Sequence, residues 1–242
     1  MNLVIDVGNT KVKLAVFKGD DVVYKKSIII NSLEEELQEL TARFVINKGI
    51  MSSVGKLTRE DITKHFKKIN VLQLTSQTKI PFKNNYKTPE TLGVDRIALV
   101  SACVKNYANK NCLVIDAETC ITYDFIDYKK NYLGGAIAPG INMRYKSLHT
   151  FTANLPLLKK KEVEKITGNT SKKAIHSGVI KGTLFEIDGV INQYQEKYKD
   201  LTVILTGGDA KFLSKQLKNS IFANSNFLLE GLNFILEFNS NE

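Results

Sequence analysis

The hydrophobic pattern at the start of the chain predicts two strands joined by a polar turn. Apolar residues fill Leu3–Ile5, and after Asp6 and a glycine-containing turn, apolar and polar residues alternate from Val12 to Val16. A short apolar run followed by such an alternation is typical of a buried strand and a half-buried strand. An ordinary hairpin has the same pattern, so these residues alone leave the function open.

A second copy of the pattern begins roughly 110 residues later. Leu113–Asp116 repeats Leu3–Asp6 without a mismatch, and omission of one turn residue then aligns Thr119 with Thr10. The chain is therefore predicted to be duplicated. We expect two similar halves that face one cleft, with a carboxylate from each half.

The turns after these strands carry groups that suit phosphate and a hydrated cation. Gly8 lets the backbone approach a ligand closely, and Asn9 and Thr10 offer amide and hydroxyl donors. A third strand, predicted over 201–205, leads into Gly207-Gly208 and then a helix. Such a turn can receive the adenosine end of a nucleotide or its phosphate.

Strand and helix patterns alternate through the rest of the chain, which predicts an α/β fold of two domains, 1–110 and 111–242. In the first half we expect strands over 22–30, 50–54 and 71–74, helices over 32–44 and 58–69, and a functional loop over 75–92. Ser32 and Glu35 form a predicted capping box for the helix that begins there.

In the second half we expect strands over 111–118 and 132–138, and helices over 142–149, 171–191 and 227–238. The connection 151–165 is predicted to be exposed and to end in a helical turn. Within the long helix, Gly178, Gly182 and Gly189 allow close packing or mark a break. The basic run Lys159–Lys161 lacks interleaved aromatic residues and is interpreted as a solvated turn or a solvated helix face.

A helix is also predicted to begin near Gly93, so that Asp95 and Arg96 lie in its first turn. The helix dipole alone explains an acidic residue there. A preceding glycine and an adjacent arginine also fit a functional site. Both interpretations stay open on these residues.

Composition limits the classes of protein to consider. The 242 residues carry a net charge of +9, which favours anionic partners such as a nucleotide with a carboxylate substrate, or nucleic acid. Cys103, Cys112 and Cys120 match no zinc or redox motif, which favours a reducing cytoplasm. We expect no signal peptide and no membrane span, because the apolar runs are too short.

Motifs over nearly the whole chain, taken in order, resemble the type III pantothenate kinases of the actin-like superfamily. The motifs are DVGNTKVK at 6–13, YKTPETLGVDR at 86–96, DAETCITYDF at 116–125, LGGAIAPGI at 133–141, TANLP at 152–156, GNTSKKAIHSG at 168–178, LTGGDA at 205–210 and LLEGL at 228–232. The resemblance implies duplicated actin-like (ribonuclease H-like) domains, each a mixed β-sheet with flanking helices, around a nucleotide cleft. It also implies a homodimer.

The resemblance implies ATP-dependent phosphorylation of pantothenate to 4'-phosphopantothenate, the first step toward coenzyme A, with Asp95 as the general base. ATP would be bound by Asp6, Val7, Gly8, Asn9, Thr10, Lys11, Val12, Lys13, Thr119, Gly207 and Gly208. Pantothenate would be bound by Tyr86, Gly93, Val94, Asp95, Arg96 and Thr170. Asp6 would contact Mg2+ through water, and Asp116 would bind a monovalent cation, K+ or NH4+.

One residue departs from the family pattern. Glu118 stands where the second phosphate loop usually has glycine. A carboxylate there should repel ATP phosphates, and a requirement for positive φ would add strain. Alternatively, Glu118 points away or joins the cation shell. A catalytically weakened nucleotide or pantothenate sensor is therefore the alternative function, and a nucleic-acid-binding regulator is a third that rests on charge alone.

Overall fold

A computed structural model describes residues 1–8, 11–53, 62 and 69–240. These residues form two compact units. Unit 1 comprises 1–108, 130–132 and 226–242, and unit 2 comprises 109–129 and 133–225, within the described ranges. The predicted helix over 58–69 lies almost entirely outside the described residues.

Unit 1 is built on a mixed five-stranded sheet in the order β3-β2-β1-β4-β5. The strands are β1 (Asn2–Val7), β2 (Val12–Lys18), β3 (Asp21–Ile28), β4 (Lys48–Ser53) and β5 (Asn70–Gln73). The first three are antiparallel neighbours, whereas β4 runs parallel to β1. The central strand β1 is buried throughout, as its apolar sequence predicts.

The helices of unit 1 are α1 (Leu33–Arg43), α2 (Val94–Asn106) and a terminal helix, α6 (Phe227–Phe238). The helix α6 packs on α2, where a side chain at Gly231 would overlap the carbonyl oxygen of Ala98. The last helix is therefore part of the core of unit 1. A short strand, β6 (Lys83–Asn84), interrupts the predicted loop before α2.

Unit 2 contains a sheet in the order β11-β10-β7-β8-β9. Its strands are β7 (Asn111–Ala117), β8 (Cys120–Ile126), β9 (Asn131–Pro139, whose first two residues belong to unit 1), β10 (Leu201–Thr206) and β11 (Phe222–Ala223). Its helices are α3 (Ile141–Thr150), α4 (Ser171–Lys197) and α5 (Ala210–Ser214). Apolar residues of β7, β8 and β10 form one core with the buried face of α4.

The strand registers support the predicted duplication. The β1–β2 hairpin closes at the pair Val7 and Val12, and the β7–β8 hairpin closes at Ala117 and Ile121. The second turn is thus one residue shorter, as the sequence alignment requires. In each unit the strand whose penultimate residue is aspartate also has a parallel neighbour, β4 in unit 1 and β10 in unit 2.

Three local predictions are wrong. Ser32 makes no side-chain capping bond, because a 3-10 turn over Ile30–Ser32 leads directly into α1. The segment 151–165 ends without a helical turn. Gly178 and its two companion glycines neither break α4 nor pack closely, since a side chain at each would meet open space.

Across the described ranges, no helix combines sufficient length with sufficient apolarity to cross a bilayer.

Candidate functional site

The carboxylate of Asp6 is held at the end of β1 by its two neighbouring strands. Lys13 of β2 and Ser52 of β4 are its partners in the sheet register. Ser52 Oγ donates a 2.7 Å hydrogen bond to Asp6 Oδ1, and Lys13 Nζ lies 3.8 Å from Asp6 Oδ2. Asp6 is 8% exposed. A hydroxyl donor and a cation thus stabilise and orient the ionised carboxylate.

Gly8 and Lys11, on either side of the turn after Asp6, lie close together. The Gly8 amide donates to Lys11 O over 3.0 Å, and a side chain on Gly8 would lie only 3.3 Å from that oxygen. Val7 and Val12 have buried side chains, so they could meet a ligand only through their backbone. Asn9 and Thr10, predicted to contact ATP, lie outside the described residues. Lys11 is exposed.

The chemistry of Asp6 fits the outer shell of a hydrated Mg2+. Mg2+ retains several waters and is usually bound through one or two carboxylates together with substrate phosphates. In the described part of the chain, no three His, Cys, Asp or Glu residues come together as a metal cage. A carboxylate that already accepts one hydrogen bond from a hydroxyl group can still accept another from a metal-bound water.

In unit 2, two glycines approach the turn between β7 and β8. Gly140 N donates to Thr119 O over 3.0 Å, and a side chain on Gly140 would overlap the carbonyl oxygens of Glu118 and Thr119. Gly207 has φ +94° and leaves no room for a side chain beside Asp116 Oδ1. Glycine is therefore required at both positions.

Two other residues near this turn, Thr119 and Gly208, have free space around them. Thr119 is exposed, and a side chain on Gly208 would meet nothing within 4 Å. Glu118 is half-buried and is not among the described non-glycine residues with positive φ. The strain considered for Glu118 is therefore absent, and its charge remains as the relevant difference from glycine.

Asp116 has a second oxygen-bearing side chain beside it. Thr122 is its partner in the antiparallel register, so both side chains lie on the same face of the sheet. Thr122 Oγ1 is buried and makes no hydrogen bond within the described residues. A carboxylate and a hydroxyl oxygen on one face fit a hard cation such as K+.

The turn at Gly207 is tied to more distant parts of unit 2. Asp209 N donates to Ala117 O over 2.9 Å, and Lys160 Nζ donates to the buried Asp209 carboxylate. Lys160 also lies 5.6 Å from the ring of Phe212. Lys160 is exposed, as the interpretation of the lysine run as a solvated face expects, and it also forms an ion pair that the sequence did not show.

Asp95 and Arg96 occupy the first turn of α2, as predicted. Arg96 N donates a 2.8 Å hydrogen bond to Asp95 Oδ1, and a side chain on Gly93 would overlap that same oxygen. Gly93 thus provides the space into which the carboxylate folds. Asp95 and Val94 beside it are both half-buried, so the Asp95 side chain keeps some exposure to solvent. The Asp95 carboxylate can therefore accept a further hydrogen bond from a bound ligand.

The guanidinium of Arg96 lies 5.5 Å from the centre of the Tyr86 ring. Arg96 is 5% exposed, whereas Tyr86 is half-buried. A planar guanidinium placed against an aromatic face is attracted by the ring electrons and loses rotational freedom. The structure thus places three of the predicted pantothenate residues, Tyr86, Asp95 and Arg96, in one cluster within unit 1.

Thr170 is the N-cap of α4 in unit 2, where its side chain accepts a 3.3 Å hydrogen bond from Lys173 N. Beside it is a cavity of about 620 Å³, whose lining includes Gly168, Lys173 and His176. His176 Nδ1 is 2.8 Å from the hydroxyl of Tyr145. Burial and Lys161 lower the pKa of His176, and burial raises the pKa of Tyr145 to about 12.

The residues that the sequence did not indicate are those which support the turns. Ser52 reaches Asp6 through the parallel register of β1 and β4, which no local pattern shows. The LGGAIAPGI motif contains Gly140 but does not show that this glycine packs against the turn between β7 and β8. Arg144 Nε donates to Pro139 O over 2.8 Å, and its Nη2 lies 2.6 Å from Glu186 Oε2. The LGGAIAPGI motif indicates this region but not the arginine.

Solved structures identify the class of fold. A Campylobacter jejuni protein named for the Baf family of transcriptional activators has a TM-score of 0.66 and 24% identity, and the match covers 99% of this chain and 100% of that one. A glucokinase from an Antarctic psychrotroph has a TM-score of 0.53 and 11% identity over 98% of both chains. The chain has the fold of the actin-like ATPases and sugar kinases.

Sequence comparison identifies the family within that class. The type III pantothenate kinase family model matches residues 2–193. The type III pantothenate kinase of Christiangramia forsetii is 52% identical over 100% of both chains, and that of Flavobacterium johnsoniae is 46% identical over 96% of both. This chain belongs to the type III pantothenate kinase family.

Proposed function

We propose that this chain transfers the terminal phosphoryl group of ATP to the primary hydroxyl of pantothenate, with Asp95 as the general base. The product is 4'-phosphopantothenate, and the step is the entry to coenzyme A synthesis. Membership of the family supports the reaction. The observation that carries the assignment of roles is the accessible Asp95 carboxylate, oriented at the start of α2 beside Arg96.

In this reaction the pantothenate oxygen forms a bond to the terminal phosphorus while the bond from that phosphorus to the bridging oxygen breaks. ADP leaves, and the hydroxyl proton passes to Asp95. Asp95 Oδ1 already accepts from Arg96 N, so the rest of the carboxylate is available for this proton. Phosphoryl transfer depends mainly on positioning and charge stabilisation, so an oriented base and fixed donors are the relevant equipment.

The two turns serve the phosphates of ATP in this proposal. Asp6–Lys13 forms the first phosphate loop, and Thr119 with Gly207-Gly208 supplies further ATP contacts. Asp6 contacts Mg2+ through water, and Asp116 binds K+ or NH4+. The bound cations would neutralise phosphate charge. The hydrogen bond from Ser52 orients the Asp6 carboxylate. Gly207 has no side chain and therefore leaves space for the Asp116 carboxylate.

Pantothenate is held through its carboxylate and its amide chain. Arg96 presents a fixed fork of donors suited to a carboxylate or to the transferring phosphoryl group. Gly93 and Val94 supply backbone at the start of α2, and Tyr86 supplies an aromatic face. Thr170, at the start of α4, provides a hydroxyl group.

The proposal extends to organisation. Residues 1–110 and 111–242 are assigned to the two halves of the duplicated sequence, although the terminal helix α6 of the second half packs within unit 1. The protein acts as a homodimer in the cytoplasm. Three cysteines that all lack a disulfide partner are compatible with a reducing compartment. The net positive charge is assigned to the binding of anionic small molecules, with neither nucleic acid nor membrane as a partner.

Product analysis tests the reaction. Purified protein is incubated with ATP, Mg2+, K+ and pantothenate, and the products are separated and identified by mass spectrometry. We expect one phosphoryl group on pantothenate and one ADP for each product molecule. ADP formation that does not require pantothenate, or pantothenate that stays unmodified, would contradict the proposal.

The sensor alternative predicts a different result from the same assay. A sensor would bind ATP or pantothenate, release no product, and gain turnover when Glu118 is replaced by glycine. The kinase names of the relatives and the accessible Asp95 favour the enzyme.

A further inference from the structure

A fully buried aromatic ring supports the Tyr86 and Arg96 cluster in unit 1. The ring of Tyr132 is stacked on that of Tyr86, with centroids 6.2 Å apart and planes inclined by 20°. Phe82 meets the same Tyr132 ring at 5.9 Å with its plane turned by 70°. Because Tyr86 also contacts Arg96, one continuous set of contacts runs from Tyr132 to the start of α2.

The backbone of Tyr132 fixes the same segment. β6 pairs in parallel with Asn131 and Tyr132, through only two residues. Tyr132 O accepts a 3.1 Å hydrogen bond from Asn85 N, and Asn84 Oδ1 accepts from Tyr86 N over 3.0 Å. So short a strand pair is marginal by itself, so the packed rings must contribute to holding Tyr86 in place.

We propose that Tyr132 is a positioning residue for pantothenate, which it serves by fixing Tyr86 and, through Tyr86, the guanidinium of Arg96. This inference rests on the proposed function. The Tyr132 ring is fully buried and is placed to support the residues of the site without touching the substrate. Its loss should therefore weaken the binding of pantothenate more than that of ATP, which is assigned to the two turns.

The test compares Tyr132→Phe with Tyr132→Leu in the full-length protein. Initial rates are measured against pantothenate at saturating ATP, and against ATP at saturating pantothenate. We expect Tyr132→Leu to raise the pantothenate KM about tenfold, which lies within the range expected for the loss of its aromatic pairs with Tyr86 and Phe82, and to leave the ATP KM within about twofold. Tyr132→Phe retains the ring and should stay within about threefold of the native protein for both.

Phe17→Leu is the matched control, because Phe17 is a buried ring of β2 in the same unit. Thermal denaturation of all variants measures their stability. We expect Phe17→Leu to lower the melting temperature while the pantothenate KM stays native. If Tyr132→Leu fails to fold, Tyr132→Met, which fills more of the space, replaces it.

Three results would overturn the inference. They are an unchanged pantothenate KM in the ring-removal variant, an equal rise in both KM values, and the same pantothenate effect in Phe17→Leu. Each would make Tyr132 an ordinary core residue. A native protein that forms no product from pantothenate would instead overturn the proposed function itself, so the two failures are distinguished in one series.

Discussion

Asp6 and Asp116 hold equivalent positions in two hairpins of the same design, yet different kinds of contact surround them. Side chains hold Asp6, through the Ser52 hydroxyl and the Lys13 ammonium. Backbone surrounds the second turn, where Gly140 and Gly207 come so close that no side chain fits. Duplication thus preserved the strand, the turn and the carboxylate, while the means of support diverged.

This difference has consequences for substitution. A contact made by a side chain can be removed without disturbing the backbone, so substitutions there should cause limited losses of binding or stability. A glycine that carries a close backbone approach tolerates no added carbon, so its replacement should disturb the whole turn. We therefore expect the second turn to fail abruptly and the first to weaken by degrees.

The largest effect is expected for Gly207→Ala. The residue has φ +94°, and an added carbon would overlap Asp116 Oδ1 and Ala117 O. The left-handed conformation and the overlap together should lower the free energy of unfolding by about 3 kcal/mol. Chemical denaturation measures this loss. Gly208→Ala, where the added carbon meets open space, is the control and should remain within about 1 kcal/mol.

Ser52→Ala should have the next largest effect. It removes the donor to Asp6 Oδ1 at a site where Ser52 is 1% exposed. A hydrogen bond to a charged group contributes about 1.5 to 3 kcal/mol, so we expect the ATP KM to rise at least tenfold. Ser101→Ala, which removes a fully buried hydroxyl from α2, should leave it native. Equal effects in both variants would refute a specific role for Ser52.

Arg144→Lys tests whether the Arg144 side chain helps to hold the backbone of Pro139 and Gly140 at the second turn. Arg144 donates to Pro139 O and pairs with Glu186, which also accepts from Tyr123 over 2.8 Å. Lysine has no planar fork to make both contacts, and we expect the ATP KM to rise about threefold to fivefold. Arg43→Lys in α1 serves as the control, measured by the same kinetics. An unchanged ATP KM in Arg144→Lys would mean that Gly140 needs no such support.

The smallest expected effect concerns Glu118. Glu118 does not have a positive φ, so we expect only its charge to affect ATP binding. The side chain is partly exposed, so salt should screen its repulsion of the ATP phosphates. Glu118→Gly and Glu118→Gln should lower the ATP dissociation constant by about the same twofold to threefold, as measured by calorimetry. Tighter binding in the glycine variant alone would point to the backbone, and equal affinity in all three proteins would refute the repulsion.

The sequence revealed features that depend on local pattern. Strand alternation predicted both hairpins, and their register confirms the duplication down to the missing turn residue. The start of α2 was also predicted, which placed Asp95 and Arg96 correctly in its first turn. These features depend on neighbours in the chain, which a sequence displays directly.

Contacts between distant segments could not be predicted in the same way. The Ser52 bond to Asp6 depends on a parallel register, and Tyr132 reaches Tyr86 through a two-residue strand pair. Lys160 belongs to a charged run, yet it pairs with a buried aspartate. Even the cap at Ser32 failed, because a 3-10 turn before α1 changed the conformation of the serine.

The role of Asp95 is tested most directly by comparing single-turnover rates of the native protein and Asp95→Asn at saturating ATP and pantothenate. General-base catalysis contributes about 100-fold to 10,000-fold, so we expect phosphoryl transfer to slow by that range while calorimetry shows pantothenate binding within about threefold of native. Asparagine retains the size of the side chain but cannot take the proton. A rate within tenfold of the native value, with binding intact, would contradict the assignment of Asp95 as the base.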